Sequence, residues 1–275
     1  MGESVLEKKM ADLAKKLKNL DQMVIAYSGG VDSDFLLAAA KSSGASRVVA
    51  VTIDSAFVTR EEIGRAREAA RALGVAHRVI QMDILSDDRV RANSARRCYF
   101  CKSRVFGAIR ELAKGMGIPH CLHGVNTDDL GEYRPGLEAS AELGFLSPLV
   151  EVGFAKDDVR AAARKMGLSS WDLPSQSCLA TRIPHSCEIL AADLERIGAA
   201  ESYIRDRMGD DRARLRVRCH GDLARIETED YWVERLVGDR ALKGEVVSRL
   251  RELGFAHVTL DLEGYVSGSL NPVDV

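Results

Sequence analysis

The sequence predicts an α/β fold, in which a doubly wound parallel sheet is followed by a smaller C-terminal α+β domain. Two observations support this prediction. Up to residue 170, apolar runs of strand length alternate with amphipathic segments of helix length, a pattern typical of parallel βαβ units. A loop-like stretch with two prolines, WDLPSQSCLATRIPH at residues 171–185, then interrupts the alternation. We therefore expect one domain at residues 1–170 and a second at residues 171–275.

The elements of the first domain follow in a regular order after a charged amphipathic N-terminal helix. The predicted strands are residues 23–27, 47–53, 77–81 and 120–124. The predicted helices are residues 34–43, 59–73, 102–116 and 156–166. Because helices connect the strands, the sheet is expected to be parallel, and ligands of such sheets bind at the carboxyl ends of the strands.

The second domain mixes helices and strands less regularly. Its predicted elements are a helix at 191–207, a strand at 213–219, a helix at 240–253 and a strand at 257–260. This mixture is typical of an α+β arrangement.

Composition excludes several classes of protein. The 275 residues are 46% hydrophobic and 29% charged, which disfavours disorder. A net charge of −2 and a pI near 6.3 argue against bulk nucleic-acid binding. The N-terminus does not resemble a signal peptide, and no run of about 18 apolar residues predicts a membrane span. We expect a cytoplasmic protein, in which the six cysteines are reduced, catalytic or metal-binding rather than disulfide-bonded.

A glycine turn, YSGGVDS at residues 27–33, lies between the first strand and its helix. Glycines let backbone N–H groups approach an anion, and the positive end of the helix points to the same place. The hydroxyls of Ser28 and Ser33 add donors. Asp32 would repel a bare phosphate, so it is best explained as a magnesium ligand or an orienting acceptor. The spacing differs from that of a Walker loop.

Three of the cysteines stand out by their sequence context. Cys98 and Cys101 form a CxxC that enters a helix, a motif shared by zinc, redox and iron–sulfur sites. Cys178 lies between prolines, and the nearby Arg182 favours its thiolate. These residues alone leave two readings open: a three-cysteine cluster with one open iron, or two thiols and one reactive cysteine. Each remaining cysteine is interpreted as structural: Cys121, Cys187 and Cys219.

The string SGGVDS resembles the PP-loop of the ATP pyrophosphatases, which have an adenine nucleotide alpha hydrolase-like fold. Four strings in order, SGGVDS, RCYFCK, HGVNTDDLGEYRPG and WDLPSQSCLATRIP, resemble the LarE family of ATP-dependent sulfur transferases. The resemblance spans residues 20–230. It implies an enzyme that uses ATP, with Mg²⁺, to adenylylate a carboxylate of pyridinium-3,5-biscarboxylic acid mononucleotide. The resulting thiocarboxylate serves the nickel-pincer nucleotide cofactor of lactate racemase.

Two sulfur chemistries are implied by the same resemblance. In one, the cysteine at position 178 gives up its own sulfur and becomes dehydroalanine. In the other, Cys98, Cys101 and Cys178 hold a [4Fe-4S] cluster that passes on a bound sulfide. Because this sequence has all three cysteines, the cluster reading is favoured, with sulfide or another sulfur donor as a partner. The family also implies a homo-oligomer.

The resemblance also assigns residues to ATP and magnesium. The residues expected to face ATP are Ala26, Ser28, Gly30, Asp32, Ser33, Thr52, Ile53, Gly124, Asn126 and Arg134. Asp128 is expected to help position magnesium beside Asp32.

Substrate binding is assigned to residues near the cysteines and on a later strand. Arg216 and Arg218 share one face at a spacing of two and form a phosphate fork, which Arg214 joins. Tyr99 stacks on the pyridinium ring or packs the cysteine loop. Arg182 is placed on the substrate side of Cys178.

The sequence departs from the family pattern at four positions: Asp34, His123, Leu173 and Ser177. The family usually has a small hydroxyl residue at position 34, where the aspartate is expected to cap the helix or weaken pyrophosphate binding. Three rival functions remain in view. They are an amidating synthetase, for which no glutaminase domain is visible, and a tRNA thiolase, which the net charge of −2 disfavours. The third is a nucleotide-binding regulator, which would not need Cys178 or the arginine fork.

Overall fold

The computed structural model describes residues 2–131, 135–175, 177–210, 212–266 and 270. The chain forms two compact units. Unit 1 comprises Met1–Met82 and Cys98–Ser175, and unit 2 comprises Asp83–Arg97 and Gln176–Val275. The division after residue 175 lies close to the predicted boundary at 170, but the assignment of residues 83–97 to unit 2 differs from a contiguous first domain.

The physical reason for that difference is hydrogen bonding between distant parts of the chain. The backbone N–H of Ser186 donates to Asn93 O at 3.0 Å, and that of Ile189 donates to Arg91 O at 2.9 Å. Periodicity along the chain reports local structure and cannot reveal such pairings.

Unit 1 contains a four-stranded parallel sheet, as the sequence predicts. Its strands are β1 (Gln22–Ala26), β2 (Arg47–Asp54), β3 (Ala76–Gln81) and β4 (His120–His123). The order β3-β2-β1-β4 places β1 and β2 in the centre. The chain leaves β1 on one side to reach β2 and later returns to the other side at β4, which confirms the doubly wound arrangement.

Helices cover both faces of this sheet. They are α1 (Gly2–Leu20), α2 (Val31–Ser42), α3 (Arg60–Ala72), α5 (Arg97–Gly115), α6 (Pro135–Glu142), α7 (Pro148–Val152) and α8 (Lys156–Lys165), while α4 (Asp88–Arg91) belongs to unit 2. Alternate residues of β1 enter opposite cores: Ile25 packs with Phe35 of α2, and Val24 packs with Ile109 of α5. Burial on both sides explains why the strands read as continuous apolar runs.

Unit 2 combines helices with a small mixed sheet. Its elements after residue 176 are α9 (Ala191–Met208), β5 (Leu215–His220), β6 (Leu223–Thr228), α10 (Asp230–Gly238), α11 (Arg240–Glu252) and β7 (His257–Leu260). Strands β5 and β6 are antiparallel, β6 and β7 are parallel, and the order is β5-β6-β7. Gly221, at φ 66°, makes the tight turn between β5 and β6. This arrangement confirms the predicted α+β region, while β6 and α10 were not predicted.

Across the described helices, none combines the length and the apolar character needed to cross a membrane.

Candidate active site

The ends of three parallel strands meet at one edge of the sheet in unit 1. Ala26 of β1 pairs with Val51 of β2 and with His123 of β4. The residues that follow these positions therefore leave the sheet side by side, and the N–H of Tyr27 donates to Val51 O at 2.8 Å. The sequence-predicted ATP residues that the structure describes all follow or end these strands, so one edge of the sheet brings them together.

The glycine turn is held in shape by its own serines. Ser33 Oγ donates to Gly30 O at 2.9 Å and lies 3.2 Å from Ser28 Oγ, which accepts from the Gly30 N–H at 3.4 Å. Gly29 has φ 74°, in the left-handed region that favours glycine. Helix α2 begins directly after Gly30, so its first N–H groups have no partner within the helix and point towards the turn. The turn is thus preformed for an anionic group.

Asp32 stands at the centre of a polar network at this helix start. Asn126, which is buried, donates from Nδ2 to Asp32 Oδ1 at 3.0 Å. The ammonium of Lys156, the first residue of α8, forms a short ion pair with the other oxygen of Asp32. The loop after β4 and the start of α8 therefore orient one carboxylate. Lys156 was not singled out from the sequence, because a lone lysine at a helix start is usually a surface residue.

Asp128 lies in the same network but has a structural contact of its own. Its Oδ2 accepts from the backbone N–H of Lys156 at 2.9 Å, and its N–H donates to Asn126 Oδ1 at 3.0 Å. Asp128 therefore stabilises the start of α8 and the loop after β4. Its predicted role beside magnesium stays a prediction.

Gly124 allows the loop after β4 to approach the glycine turn closely. A Cβ atom at this position would lie 2.9 Å from Asp32 C and 2.9 Å from Ser33 N. Only glycine permits this backbone-to-backbone contact. The contact brings the Asn126 loop within reach of Asp32.

Thr52 and Ile53, which were predicted to lie against adenosine, are both buried near the end of β2. Thr52 Oγ1 donates to Tyr27 O at 2.7 Å and lies 2.8 Å from His77 Nε2. Because the hydroxyl proton goes to Tyr27 O, His77 Nε2 is the donor to Thr52. Burial, aided by the charge of Arg67, lowers the pKa of His77 and keeps the ring neutral. The Thr52 hydroxyl therefore links β2 to the backbone that follows β1.

Asp34 lies on the buried side of α2 and forms a short hydrogen bond with Tyr27 Oη. Burial raises the pKa of Asp34, although hydrogen bonds from Ser170 and Tyr27 act in the opposite direction. Burial and the nearby carboxylate raise the pKa of Tyr27 as well. The N-cap residue of α2 is Gly30 and Asp34 is the fourth residue of the helix, so the expected capping role of Asp34 is wrong.

The CxxC lies in the first turns of α5. Cys98 and Cys101 are three residues apart on this helix, so they share a face, and both are half-buried. Tyr99 projects elsewhere and donates from Oη to Glu142 Oε2 at 2.8 Å. Lys102, which follows Cys101, lies close to β4. Burial, with the charge of Lys102 as a second cause, lowers the pKa of His123 to about 4. The cysteine helix therefore begins near the strand edge that contains the glycine turn.

Cys178 lies in unit 2, at the start of a 3₁₀ turn over Leu179–Arg182, and is half-buried. Arg182 is buried and forms an ion pair with Glu201 of α9, with Nε 2.8 Å from Oε1. Its Nη1 donates to Ser177 O at 2.7 Å and to Cys178 O at 3.3 Å. These contacts favour a role for Arg182 in holding the cysteine loop, rather than the direct substrate contact assigned from the sequence.

The three arginines assigned to substrate phosphate differ in environment. Arg214 is exposed, while Arg216 and Arg218 are buried. The guanidiniums of Arg214 and Arg216 lie 5.9 Å and 4.6 Å from the ring centre of Tyr265, so both lie beside one aromatic ring. Arg218 pairs with Glu227 at 2.7 Å and donates to Thr181 O at 2.6 Å. Its contacts favour a structural role, whereas Arg214 and Arg216 remain the predicted phosphate ligands.

Cys98, Cys101 and Cys178 have the right chemical type for ligands of an iron–sulfur cluster, since thiolates are the usual ligands of such clusters. Within each unit, however, no three His, Cys, Asp or Glu side chains of the described residues are grouped as a metal site. Cys98 and Cys101 belong to unit 1 and Cys178 to unit 2. Arg134, assigned to phosphate, lies outside the described residues.

The chain is similar to one family model and to several known proteins. Residues 22–97 match the family model of the queuosine biosynthesis protein QueC. An uncharacterized protein of Synechocystis is 41% identical over 98% of this chain and 99% of its own length. Pyridinium-3,5-bisthiocarboxylic acid mononucleotide synthase of Lactiplantibacillus plantarum is 36% identical over 98% of this chain and 95% of its own length.

This chain belongs to the LarE family. The predicted resemblance is therefore confirmed, and the QueC match agrees with a PP-loop fold. An uncharacterized protein of Methanocaldococcus jannaschii, 29% identical over 93% of this chain and 95% of its own length, is a further relative.

Three residues of this LarE family member were missed by sequence reasoning. Lys156 pairs with Asp32, Glu201 pairs with Arg182, and Tyr265 covers the Arg214–Arg216 pair. Only Glu201 had a signal in the sequence. It occupies an apolar position of α9, in the stripe formed by Leu194, Ile197, Ile204 and Met208.

Proposed function

We propose that this protein is an ATP-dependent sulfur transferase. It adenylylates a carboxylate of pyridinium-3,5-biscarboxylic acid mononucleotide and converts it to a thiocarboxylate for nickel-pincer nucleotide synthesis. The observation that supports this most strongly is the preformed glycine turn with Asp32 held between Asn126 and Lys156. The full-length similarity to the L. plantarum synthase supports the same substrate class.

The first half of the reaction is activation of the carboxylate. A substrate carboxylate oxygen attacks the α-phosphorus of ATP, and pyrophosphate leaves as the new P–O bond forms. The N–H groups at the start of α2 and the ammonium of Lys156 stabilise charge on the departing pyrophosphate. Asp32 is the residue that would hold Mg²⁺, which supplies further charge neutralisation when bound. The products of this half-reaction are an acyl adenylate and pyrophosphate.

The second half is sulfur transfer. A sulfur nucleophile attacks the acyl carbon, and AMP leaves with the C–O bonding electrons. Cys98, Cys101 and Cys178 are the residues that would hold a [4Fe-4S] cluster, whose open iron supplies bound sulfide. The role of this chain is to present the three thiolates and to bind the nucleotide phosphate through Arg214 and Arg216.

A second route is favoured by the placement of Cys178 in a loop fixed by side chains. Here Cys178 Sγ itself attacks the acyl carbon and displaces AMP, forming a thioester. Loss of the Cys178 α-proton to a base then breaks the Cβ–S bond. The thiocarboxylate leaves with the sulfur, and dehydroalanine remains in the chain.

Anaerobic purification separates the two routes. Iron, sulfide and visible absorption would be measured for the wild-type protein, for Cys178→Ala and for Cys187→Ala, an exposed cysteine that serves as the control. About four irons per chain, lost in Cys178→Ala and kept in Cys187→Ala, support the cluster. A colourless protein after reconstitution excludes it. Mass spectrometry after ATP and substrate would then show whether Cys178 has lost its sulfur.

The nucleotide half-reaction has its own test. Pyrophosphate release should depend on ATP, magnesium and the mononucleotide together, and should be absent with tRNA or with ammonia and other carboxylates. A tRNA-dependent signal would overturn the assignment in favour of a tRNA thiolase. We also propose a cytoplasmic location, sulfide or another sulfur donor as a partner, and a homo-oligomer, the last of which the family resemblance supports.

A further inference from the structure

The loop that contains Cys178 is held by side chains rather than by a β ladder. Its carbonyl oxygens accept from arginine and asparagine side chains of unit 2. Arg97 Nη1 donates to Ala180 O at 3.1 Å, and Asn93 Nδ2 donates to Pro184 O at 2.8 Å. Such donors fix a loop that has few backbone partners of its own.

Arg182 makes the contacts nearest to the cysteine. Its Nη1 donates to Ser177 O at 2.7 Å, Ser177 Oγ at 2.8 Å, Thr181 Oγ1 at 3.0 Å and Cys178 O at 3.3 Å. The planar guanidinium has a fixed fork of donors, so its orientation sets the positions of these acceptors together. The orientation of one guanidinium therefore fixes the carbonyl groups on both sides of Cys178 Cα.

Glu201 sets that plane. Its carboxylate accepts from Arg182 Nε at 2.8 Å and from Arg182 Nη2 at 3.1 Å, a bidentate pair. It also accepts from the Val217 N–H of β5 at 3.0 Å and from Arg205 at 3.3 Å. Helix α9 and strand β5 thus fix the carboxylate, and the carboxylate fixes Arg182.

The charge state of Glu201 is secured by the same partners. Burial alone would raise the pKa of this fully buried carboxyl. The charge and hydrogen bonds of Arg182, the charge of Arg205 and the Val217 N–H together lower the pKa below its ordinary value. Glu201 is therefore an anion in the folded protein at neutral pH.

Stability alone does not explain a buried ion pair in the apolar stripe of α9. Desolvation of two charges offsets most of their attraction, so an apolar pair of similar volume gives equal or greater stability. The benefit of a bidentate pair is a fixed geometry. The only reactive side chain of the loop that this geometry fixes, within the described residues, is the Cys178 thiol.

We propose that Glu201 is a positioning residue for Cys178 and acts through the buried guanidinium of Arg182. Its importance for sulfur transfer rests on the proposed function, but its effect on the thiol does not. Both sulfur routes need Cys178 at a defined place, and a small misplacement of a reacting atom costs about 100-fold in rate.

The test is the rate of site-resolved alkylation of the folded, full-length protein by iodoacetamide at one fixed pH, followed by mass spectrometry. The variants are Glu201→Gln and Glu195→Gln, an exposed glutamate on the same helix that serves as the control. Cys187 is exposed in the same unit and is an internal reference in every sample. No ATP or substrate is required, so the result is independent of the proposed function.

In Glu201→Gln we expect Cys178 to be alkylated several-fold faster than in the wild type. The reason is that the Arg182 guanidinium loses its bidentate partner and no longer fixes the backbone around the thiol. The rate at Cys187, and both rates in Glu195→Gln, should not change. An unchanged Cys178 rate overturns the proposal, and so do equal increases at both cysteines, which indicate general loosening.

Arg182→Lys provides a second variant if Glu201→Gln fails to fold. Lysine keeps a positive charge beside Glu201 but lacks the fork of donors. The rate of Cys178 alkylation should rise several-fold, while that of Cys187 stays constant. An unchanged rate at Cys178 overturns the proposal. Where the change in alkylation rate is present but no variant or wild-type protein transfers sulfur, the proposed function fails and the positioning role stands.

Discussion

Lys156 Nζ and the Asp32 carboxylate form an ion pair that joins the start of α8 to the start of α2. Both side chains are partly buried, at 26% and 23% exposure, so solvent screens the pair less than a surface pair. Asn126 holds the other oxygen of Asp32. The ammonium is therefore kept beside the turn that is shaped for an anion.

Replacing Lys156 with methionine should strongly reduce pyrophosphate release. The variant keeps a side chain of similar length but removes the cation paired with Asp32. Loss of one preorganised charge at a reacting group costs about 100-fold in rate. The measurement is ATP-dependent pyrophosphate formation with the mononucleotide. Lys165→Met is the matched control, because Lys165 lies on the same helix and pairs with Glu7 at the surface. Equal rates for Lys156→Met and the wild type would refute the role.

Gly124→Ala adds a single methyl group and should nevertheless disrupt nucleotide binding. The added Cβ would lie 2.9 Å from backbone atoms of Asp32 and Ser33, so the turn or the β4 loop must shift. Overpacking of this kind costs about 1–3 kcal/mol of stability. ATP affinity and urea unfolding are the measurements.

The matched control for Gly124→Ala is Gly64→Ala in α3, where a Cβ meets no atom within 4 Å. Alanine there should be neutral or should stabilise the helix by up to about 1 kcal/mol. If Gly124→Ala binds ATP as the control does, the close approach has no functional role.

Asp34→Asn should stabilise the protein at neutral pH. The folded-state pKa of Asp34 is raised by burial, so its contribution to stability is present below the unfolded pKa of about 3.9. That contribution is lost as the pH rises through the folded pKa. Asparagine keeps an acceptor for the Tyr27 hydroxyl and removes the buried charge. Urea unfolding should show a gain at pH 7 that shrinks near pH 4, and a constant difference would contradict this account.

His123 should account for part of the loss of stability in acid. Burial, with the charge of Lys102, lowers its pKa from 6.5 to about 4. A histidine with a lowered folded pKa contributes stability above its unfolded pKa, and this is lost as pH falls from 6.5 towards 4. A difference of about 2.5 units corresponds to roughly 3 kcal/mol.

The corresponding variant is His123→Gln, which keeps a partner for Ser147 Oγ, now 2.7 Å from His123 Nε2. Its unfolding free energy should fall less steeply between pH 6.5 and 4 than that of the wild type. His257→Gln, at an exposed position, should leave the slope unchanged. Parallel curves of unfolding free energy against pH for wild type and His123→Gln would show that this histidine does not contribute to the loss of stability in acid.

Local patterns in the sequence were sufficient for the sheet of unit 1 and for the edge where the glycine turn lies. The central strands β1 and β2 are largely apolar because both of their faces are buried, and Gly29 is required by its positive φ. Such features depend on neighbours in the chain, so they are visible without the structure.

The partners of functional groups were not predictable in the same way. Lys156 meets Asp32, and Glu201 meets Arg182, through packing of elements far apart in the chain. A sequence shows that Arg182 and Arg218 are cations but not that each faces a buried carboxylate. The strand β6 was missed because LARIET, with two charges in six residues, does not read as a buried strand.

The division of the chain into units affects how such a protein can be built or inherited. Residues 83–97 lie in the first half of the sequence but belong to unit 2, and they supply Asn93 and Arg97 to the carbonyls of the Cys178 loop. A fragment that starts at residue 176 would contain the cysteine and lack two of the groups that shape its loop. The two units are therefore not exchangeable modules: a gene fusion at residue 175 would have to carry a second, internal segment with it to keep the cysteine in place.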